Sequence, residues 1–132
     1  MIMAHILLAE DDLAVRDFTY RALQLDGHAV MTAHEGQEAL RCLTVPGDCF
    51  QLLISDIRMP IIDGVTLARL SYRQQPDLPV LLMTGYSDVK PEEFPPCVIG
   101  FLQKPFSLDD IRDAVGSALR HAPMRSRIAG LC

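Results

Sequence analysis

No stretch of this sequence holds the roughly 20 consecutive apolar residues that a helix needs to cross a bilayer. Met1 to Ala9 carries no basic segment ahead of a long apolar run, so it does not resemble a signal peptide. Cationic charge is in deficit too, with 12 Lys and Arg against 17 Asp and Glu and a formal net charge of -5. Nucleic acid and anionic lipid both reward clustered cations, so no direct binding to either is expected. Cys42, Cys49, Cys97 and Cys132 show no CxxC or Cys/His ligand spacing. A chain of 132 residues, 49 % of them hydrophobic, can bury a core without staples, so all four are read as reduced thiols of a cytoplasmic protein. His5, His28, His34 and His121 share no spacing and read as structural or surface groups. Internal repeats and low-complexity segments are missing as well. What remains is one soluble globular domain over residues 1–121, with 122–132 as a flexible C-terminal tail.

The sequence that is present alternates short apolar runs with longer amphipathic segments, the pattern of a parallel sheet with helices on both faces. Five runs read as strands: Ile6 to Ala9, His28 to Ala33, Gln51 to Ser55, Pro79 to Met83 and Val98 to Leu102. A helix follows the first, with Val15, Phe18, Ala22, Leu23 and Leu25 at core spacing, and Asp26-Gly27 ends it. The second helix covers about Glu35 to Leu43 and leads into the loop Pro46-Gly47-Asp48. After the turn Met59 to Gly64, Val65, Leu67, Ala68 and Leu70 mark a third that stops before Pro76. Pro91, Pro95 and Pro96 predict a short or irregular helix between the fourth and fifth strands, because each removes a backbone donor. Ser107 is the expected N-cap of a last helix carrying Leu108, Ile111, Val115 and Leu119.

Four strands deliver polar groups at the same end: Glu10 and Asp11, then Asp56, then Thr84, then Lys104. In an open parallel sheet, ligands sit outside the carboxyl ends of the strands, so these groups should converge. Three carboxylates at close range repel one another unless a cation lies among them, and all-oxygen ligands suit Mg2+. Asp56 is then a plausible in-line nucleophile toward a phosphoryl group, with Lys104 and Thr84 each able to take a phosphoryl oxygen. Asp12 is better read as a helix N-cap than as a ligand.

ILLAEDD at residues 6–12, Asp56 within SDIRMPIIDG, Thr84-Gly85, and FLQKPF at residues 101–106 together resemble the receiver domain of bacterial two-component response regulators. The likeness runs from about Ala4 to Leu119, with four motifs in family order. It implies a doubly wound α/β fold, flavodoxin- and CheY-like, with five parallel strands in the order 2-1-3-4-5. It also implies roles. Asp56 is the phosphoacceptor; Glu10, Asp11, Asp56 and the main-chain carbonyl of Arg58 hold Mg2+. Arg16, five residues past Asp11, fixes which acids form the pair. Thr84 is the conformational hydroxyl, Lys104 the phosphate-binding base, Phe101 the switch aromatic, and Pro105 follows a cis peptide bond.

By this resemblance the chain is a single-domain response regulator that catalyses only its own phosphorylation and dephosphorylation. A sensor histidine kinase or histidine phosphotransferase donates the phosphate, and a downstream protein partner reads the fourth- and fifth-helix surface, as a monomer or an activation-dependent dimer. The opening and the TGY stretch resemble the small CpdR-like receivers, and no output domain follows Leu119. Phe101 lacks the hydroxyl of the Tyr that many receivers carry, so any signal through it is packing. Tyr86, two beyond the hydroxyl, is expected to shield the acyl phosphate and lengthen its lifetime relative to Tyr86→Glu. Two other classes share parts of the pattern. Phosphatases of the haloacid-dehalogenase type want an Asp two beyond the nucleophile, where this chain has Arg58. A flavodoxin-like carrier needs a Gly-, Ser- or Thr-rich phosphate cradle after the first strand, where this chain is acidic.

Overall fold

The computed structural model describes residues 4–45, 49–85 and 91–120. Five strands, β1 (His5–Ala9), β2 (Ala29–Ala33), β3 (Leu52–Asp56), β4 (Val80–Thr84) and β5 (Val98–Gln103), alternate with α1 (Leu13–Leu25), α2 (Gly36–Thr44), α3 (Gly64–Gln74) and α4 (Leu108–Arg120). All pairings are parallel, in the order β2-β1-β3-β4-β5. Both expectations of the sequence, the fold class and the strand order, hold.

The central strands carry unbroken apolar runs, Ile6 to Ala9, Leu52 to Ile54 and Val80 to Met83, because each of their faces packs under helices. Ile6, Leu8, Leu52, Ile54, Leu81 and Met83 point into one core with Ala22 and Leu23 of α1 and Ile111, Val115 and Leu119 of α4. Leu7, Ala9, Leu53, Val80 and Leu82 point the other way, against Ala39 and Leu43 of α2 and Leu67 and Ala68 of α3. A strand's side chains alternate, so one apolar run fills two cores.

The helices begin and end where local chemistry says they should. Asp12 caps α1 by accepting from the Val15 amide at 3.1 Å, Asp63 caps α3 through Thr66 at 2.8 Å, and Ser107 and Asp110 cap α4 reciprocally. Gly27, at φ 87, closes α1 in a left-handed turn that other residues resist. Between β4 and β5 the described residues hold only a 3-10 turn, Pro91–Glu93, as the prolines foretold.

Two expectations are corrected. In α1 the buried stripe runs through Thr19, Ala22 and Leu23, while Phe18 and Leu25 lie outside at 45 % and 69 % exposure. Thr19 can be buried because its hydroxyl donates to the Val15 carbonyl one turn back, at 2.7 Å. Phe101, the expected switch aromatic, is 41 % exposed on the edge strand β5, with its ring 5.3 Å from that of Phe94. Cys49 is disulfide-bonded, whereas Cys97 keeps a buried thiol. Spacing along a chain does not report which Cβ atoms approach closely enough to bridge. The loop at Pro46 to Asp48, Tyr86 and the 122–132 tail lie outside the described residues.

Candidate functional site

The ladder explains why distant residues meet. Ala9 pairs with Ser55, so Glu10, the next residue, leaves β1 beside Asp56, the last residue of β3. β4 contributes Thr84 at its last position, opposite Gln103 of β5, so Lys104 emerges next to it. That placement depends on an irregularity. The register between β4 and β5 shifts after Val80, where Ile99 is skipped and Leu81 pairs with Gly100. One extra residue in β5 turns the following side chains to the other face. The Lys104 amide then donates to the Thr84 carbonyl at 2.7 Å.

The side chains converge as the sequence predicts. Lys104 Nζ donates to Glu10 Oε1 at 2.8 Å and to Asp56 Oδ2 at 3.0 Å. Carboxylate oxygens of Glu10, Asp11 and Asp56 lie within 4.8 Å of one another. Glu10 and Asp56 are buried and Asp11 is exposed, so the cluster opens to solvent on the Asp11 side. Thr84 is buried. The Arg58 amide approaches Asp56 Oδ1 at 3.4 Å, which places the backbone of Arg58 at the cluster. Arg16 Nη1 donates to the Glu10 carbonyl at 2.8 Å, and the Asp12 amide donates to Glu10 Oε2 at 3.2 Å. These two bonds orient Glu10 from both sides. The Lys104-Pro105 peptide bond is cis. Phe101 is on the edge strand β5, where its ring packs against Phe94.

Burial pushes the Glu10 carboxyl up to about 7, and the Asp56 charge adds to that, against the opposing pull of Lys104 and the Asp12 amide. Burial draws Lys104 down, but the hydrogen bonds and charges of Glu10 and Asp56 together outweigh it and hold the ammonium above its ordinary value. Three carboxylates face one ammonium. When all are ionised, two negative charges remain uncompensated in a cleft of hard oxygen donors, which suits a hard divalent cation and no soft metal.

Sequence reasoning named the residues that meet in this cluster and missed one supporting position. A side-chain carbon on Gly64 would collide with the Asp56 carbonyl oxygen and the Ile57 backbone, and the Gly64 amide donates to the Ile57 carbonyl at 2.8 Å. The start of α3 thus clamps the segment carrying Asp56. Its sequence signal was the DG pair at residues 63 and 64, read only as a turn.

The family model described as the response regulator receiver domain matches residues 6–116. This chain belongs to the response regulator receiver family. The receiver is similar to the response regulator receiver protein CpdR of Brucella abortus, 37 % identical over 119 residues, which are 89 % of this chain and 98 % of that protein. It is also 37 % identical to the transcriptional regulatory protein FixJ of Bradyrhizobium diazoefficiens over 89 % of this chain, but spans only 58 % of FixJ. It spans 12 % of the Brucella abortus sensor kinase CckA. Among solved structures, the chemotaxis response regulator CheY4 of Vibrio cholerae superposes with a TM-score of 0.80 at 29 % identity, over 89 % of this chain and 99 % of that one. The receiver domain of the hybrid histidine kinase CckA gives 0.74 at 33 % identity, over 87 % and 98 %. The domain is therefore a signalling module of two-component type, and among its described residues no helix is long and apolar enough to cross a membrane.

Proposed function

We propose that this receiver accepts a phosphoryl group on Asp56 from a sensor histidine kinase or histidine phosphotransferase and signals through a downstream protein partner in the cytoplasm. One observation carries the reading: a single ammonium, that of Lys104, touches both Glu10 and Asp56, residues 94 and 48 positions away. Asp56 supplies the attacking carboxylate oxygen, and the bond from phosphorus to the donor breaks as the new oxygen–phosphorus bond forms. Lys104 would take one oxygen of the transferred group and Thr84, which ends the adjacent strand, another. Glu10, Asp11, Asp56 and the Arg58 carbonyl would hold Mg2+, which when bound neutralises charge on the phosphoryl oxygens and on the acids. The chemistry is confined to self-modification, which makes the domain a switch and not a turnover enzyme.

Incubation with acetyl phosphate and Mg2+ tests this. The expected product carries one phosphoryl group, is acid-stable and base-labile, and is absent from Asp56→Asn. A wild-type protein that stays unmodified, or that carries the group elsewhere, overturns the reading.

A further inference from the structure

β2 forms one edge of the sheet, and nothing in its sequence guards that edge. Among the described residues its only strand neighbour is β1, with which it pairs from Ala29 to Ala33. The Ala29 amide donates to the Ala4 carbonyl at 2.9 Å, and the Ala33 carbonyl accepts from the Glu10 amide at 3.1 Å. In a parallel ladder the residues that bond to a given neighbour alternate. Ala29, Met31 and Ala33 therefore bond to β1, while the N–H and C=O groups of Val30 and Thr32 face away from the sheet. Edge strands are ordinarily blunted by charge, proline or a bulge. Residues 28–34, HAVMTAH, hold no Asp, Glu, Lys, Arg or Pro, and the register with β1 is unbroken. Beside this edge α1 and β2 enclose a groove of about 490 Å³, where Leu13, Arg16, Asp17 and Tyr20 stand over Val30 and Thr32. Leu13 is 69 % exposed there. Because α1 runs back against β2, Tyr20 lies over Val30, beside the same core, and Leu13 over the Thr32 end.

We propose that β2 pairs antiparallel with β2 of a second copy of this chain, about a two-fold axis at Met31, joining two sheets into one. On that axis Val30 lies opposite Thr32 of the other copy, and their outward N–H and C=O groups satisfy one another. The same rotation sets the two α1 helices antiparallel, with Leu13 toward the other copy's Tyr20 and Arg16 toward its Asp17. Asp17 also holds Arg21 of its own helix at 3.1 Å, so it is shared between the two cations. Charge selects the occupant. A basic peptide would find no excess of acid along this strip, and an acidic peptide no excess of base, whereas a second copy meets its opposite charge at each position. Two chains of net charge -5 repel over most approaches, and the uncharged strand is where they can meet without that cost. β1 separates β2 from the strand that carries Asp56, so the pairing needs no phosphoryl group and leaves the acid cluster open.

Sedimentation velocity of the unphosphorylated chain, from about 10 µM to about 1 mM, reads the association directly. One short strand and one helix face per copy make a small interface, with an expected dissociation constant on the order of 100 µM. Thr32→Pro removes an outward donor from each copy and leaves the bonds to β1 in place. Leu13→Glu sets a charge against an apolar contact, at an exposed first-turn position that tolerates an acid. Each is expected to weaken the dimer by about ten-fold or more, and Leu13→Glu should unfold at the wild-type temperature. Two cysteine variants check the register. Across the axis the Cα atoms of Met31→Cys would lie about 4.5 Å apart, within reach of a disulfide, and those of Ala29→Cys roughly 13 Å apart. Diamide should cross-link Met31→Cys into dimers and leave Ala29→Cys no more cross-linked than wild type. A wild type that stays monomeric at about 1 mM overturns the proposal. So does a dimer that keeps its affinity in either Thr32→Pro or Leu13→Glu, or cross-linking of Ala29→Cys equal to or above that of Met31→Cys. The reading of Asp56 is scored by phosphorylation alone and survives any of these results.

Discussion

Glu10 and Lys104 form an ion pair of 2.8 Å in which the acid side chain is wholly buried and the base is 23 % exposed. Such a pair gives the domain a pH signature. Burial holds Glu10 near 7 in the folded protein, above the 4.5 of an ordinary glutamate. At Glu10 the folded state therefore binds more protons than the unfolded one between those values, so the contribution of Glu10 to stability falls as pH rises through that window, while His28, held below its ordinary value by burial, works in the opposite direction. Lys104 does not contribute there, because its raised value keeps it charged in both states until alkaline pH. Urea unfolding of the metal-free protein should show a loss on the order of 2 kcal/mol between about pH 5 and about pH 7.5. Mg2+ should restore more stability at the upper end than at the lower, since it competes with the Glu10 proton. A metal-free profile in a His28→Gln background that still shows no loss across this window would show that Glu10 titrates normally.

Lys104→Met asks what the ammonium does before any phosphate arrives. Glu10 and Asp56 would lose their shared partner, and the buried acid would be left uncompensated. Removing one member of a buried pair is costly, here about 2 kcal/mol at neutral pH after allowance for the partial exposure of Lys104. The cost should shrink at about pH 5, where Glu10 is protonated in the variant and needs no counter-charge. Equilibrium unfolding at the two pH values reads both numbers. Phosphorylation by acetyl phosphate should be lost in the same variant.

Gly64 and Gly116 make a matched pair. An added carbon at Gly64 meets fixed backbone of Asp56 and Ile57, whereas at Gly116 it meets only the flexible end of Arg120, at 3.2 Å. Gly64→Ala should destabilise by about 3 kcal/mol or more and slow phosphorylation, because the Asp56 segment must move. Gly116→Ala, inside α4, should be neutral or stabilising by up to about 1 kcal/mol through helix propensity. Thermal unfolding of the two variants side by side checks the contrast; equal effects would mean that the start of α3 yields easily.

Much of this was readable from the sequence because parallel strands buried on both faces announce themselves as apolar runs, and four of the five runs here lead into a polar group of the cluster. Asp12 was recognisable as a cap for a similar reason: its chemistry is local. The face of α1 was not readable, because a threonine satisfied by its own helix outcompeted a phenylalanine for the interior. Nor was the register shift at Ile99, which no hydrophobic pattern encodes although it decides where Lys104 emerges. Gly100 beside it was the available clue, since glycine inside a strand often marks a bulge. The cluster itself was legible only as a set of strand ends; its distances depend on long-range pairing.

Ile61 shows what local strain looks like when nothing in the core requires it. It has φ 69, a left-handed conformation in which a β-branched side chain crowds the backbone, and it is 87 % exposed. Burial therefore offsets none of the cost, which runs to about 1–2 kcal/mol for a residue bearing a side-chain carbon. The loop holds it there because its ends are fixed: Gly64 is pressed onto Asp56, and Ile62 onto Gly36 at the start of α2. Asparagine tolerates this region better than isoleucine and, unlike glycine, adds little entropy to the unfolded chain. Ile61→Asn should raise stability by about 0.5–1 kcal/mol, while Ile61→Val, equally branched, should give no gain. The midpoint of urea unfolding decides between them. If Asn and Val behave alike, the left-handed turn at this position is not strained, and the loop beside Asp56 is held by something other than its two anchored ends.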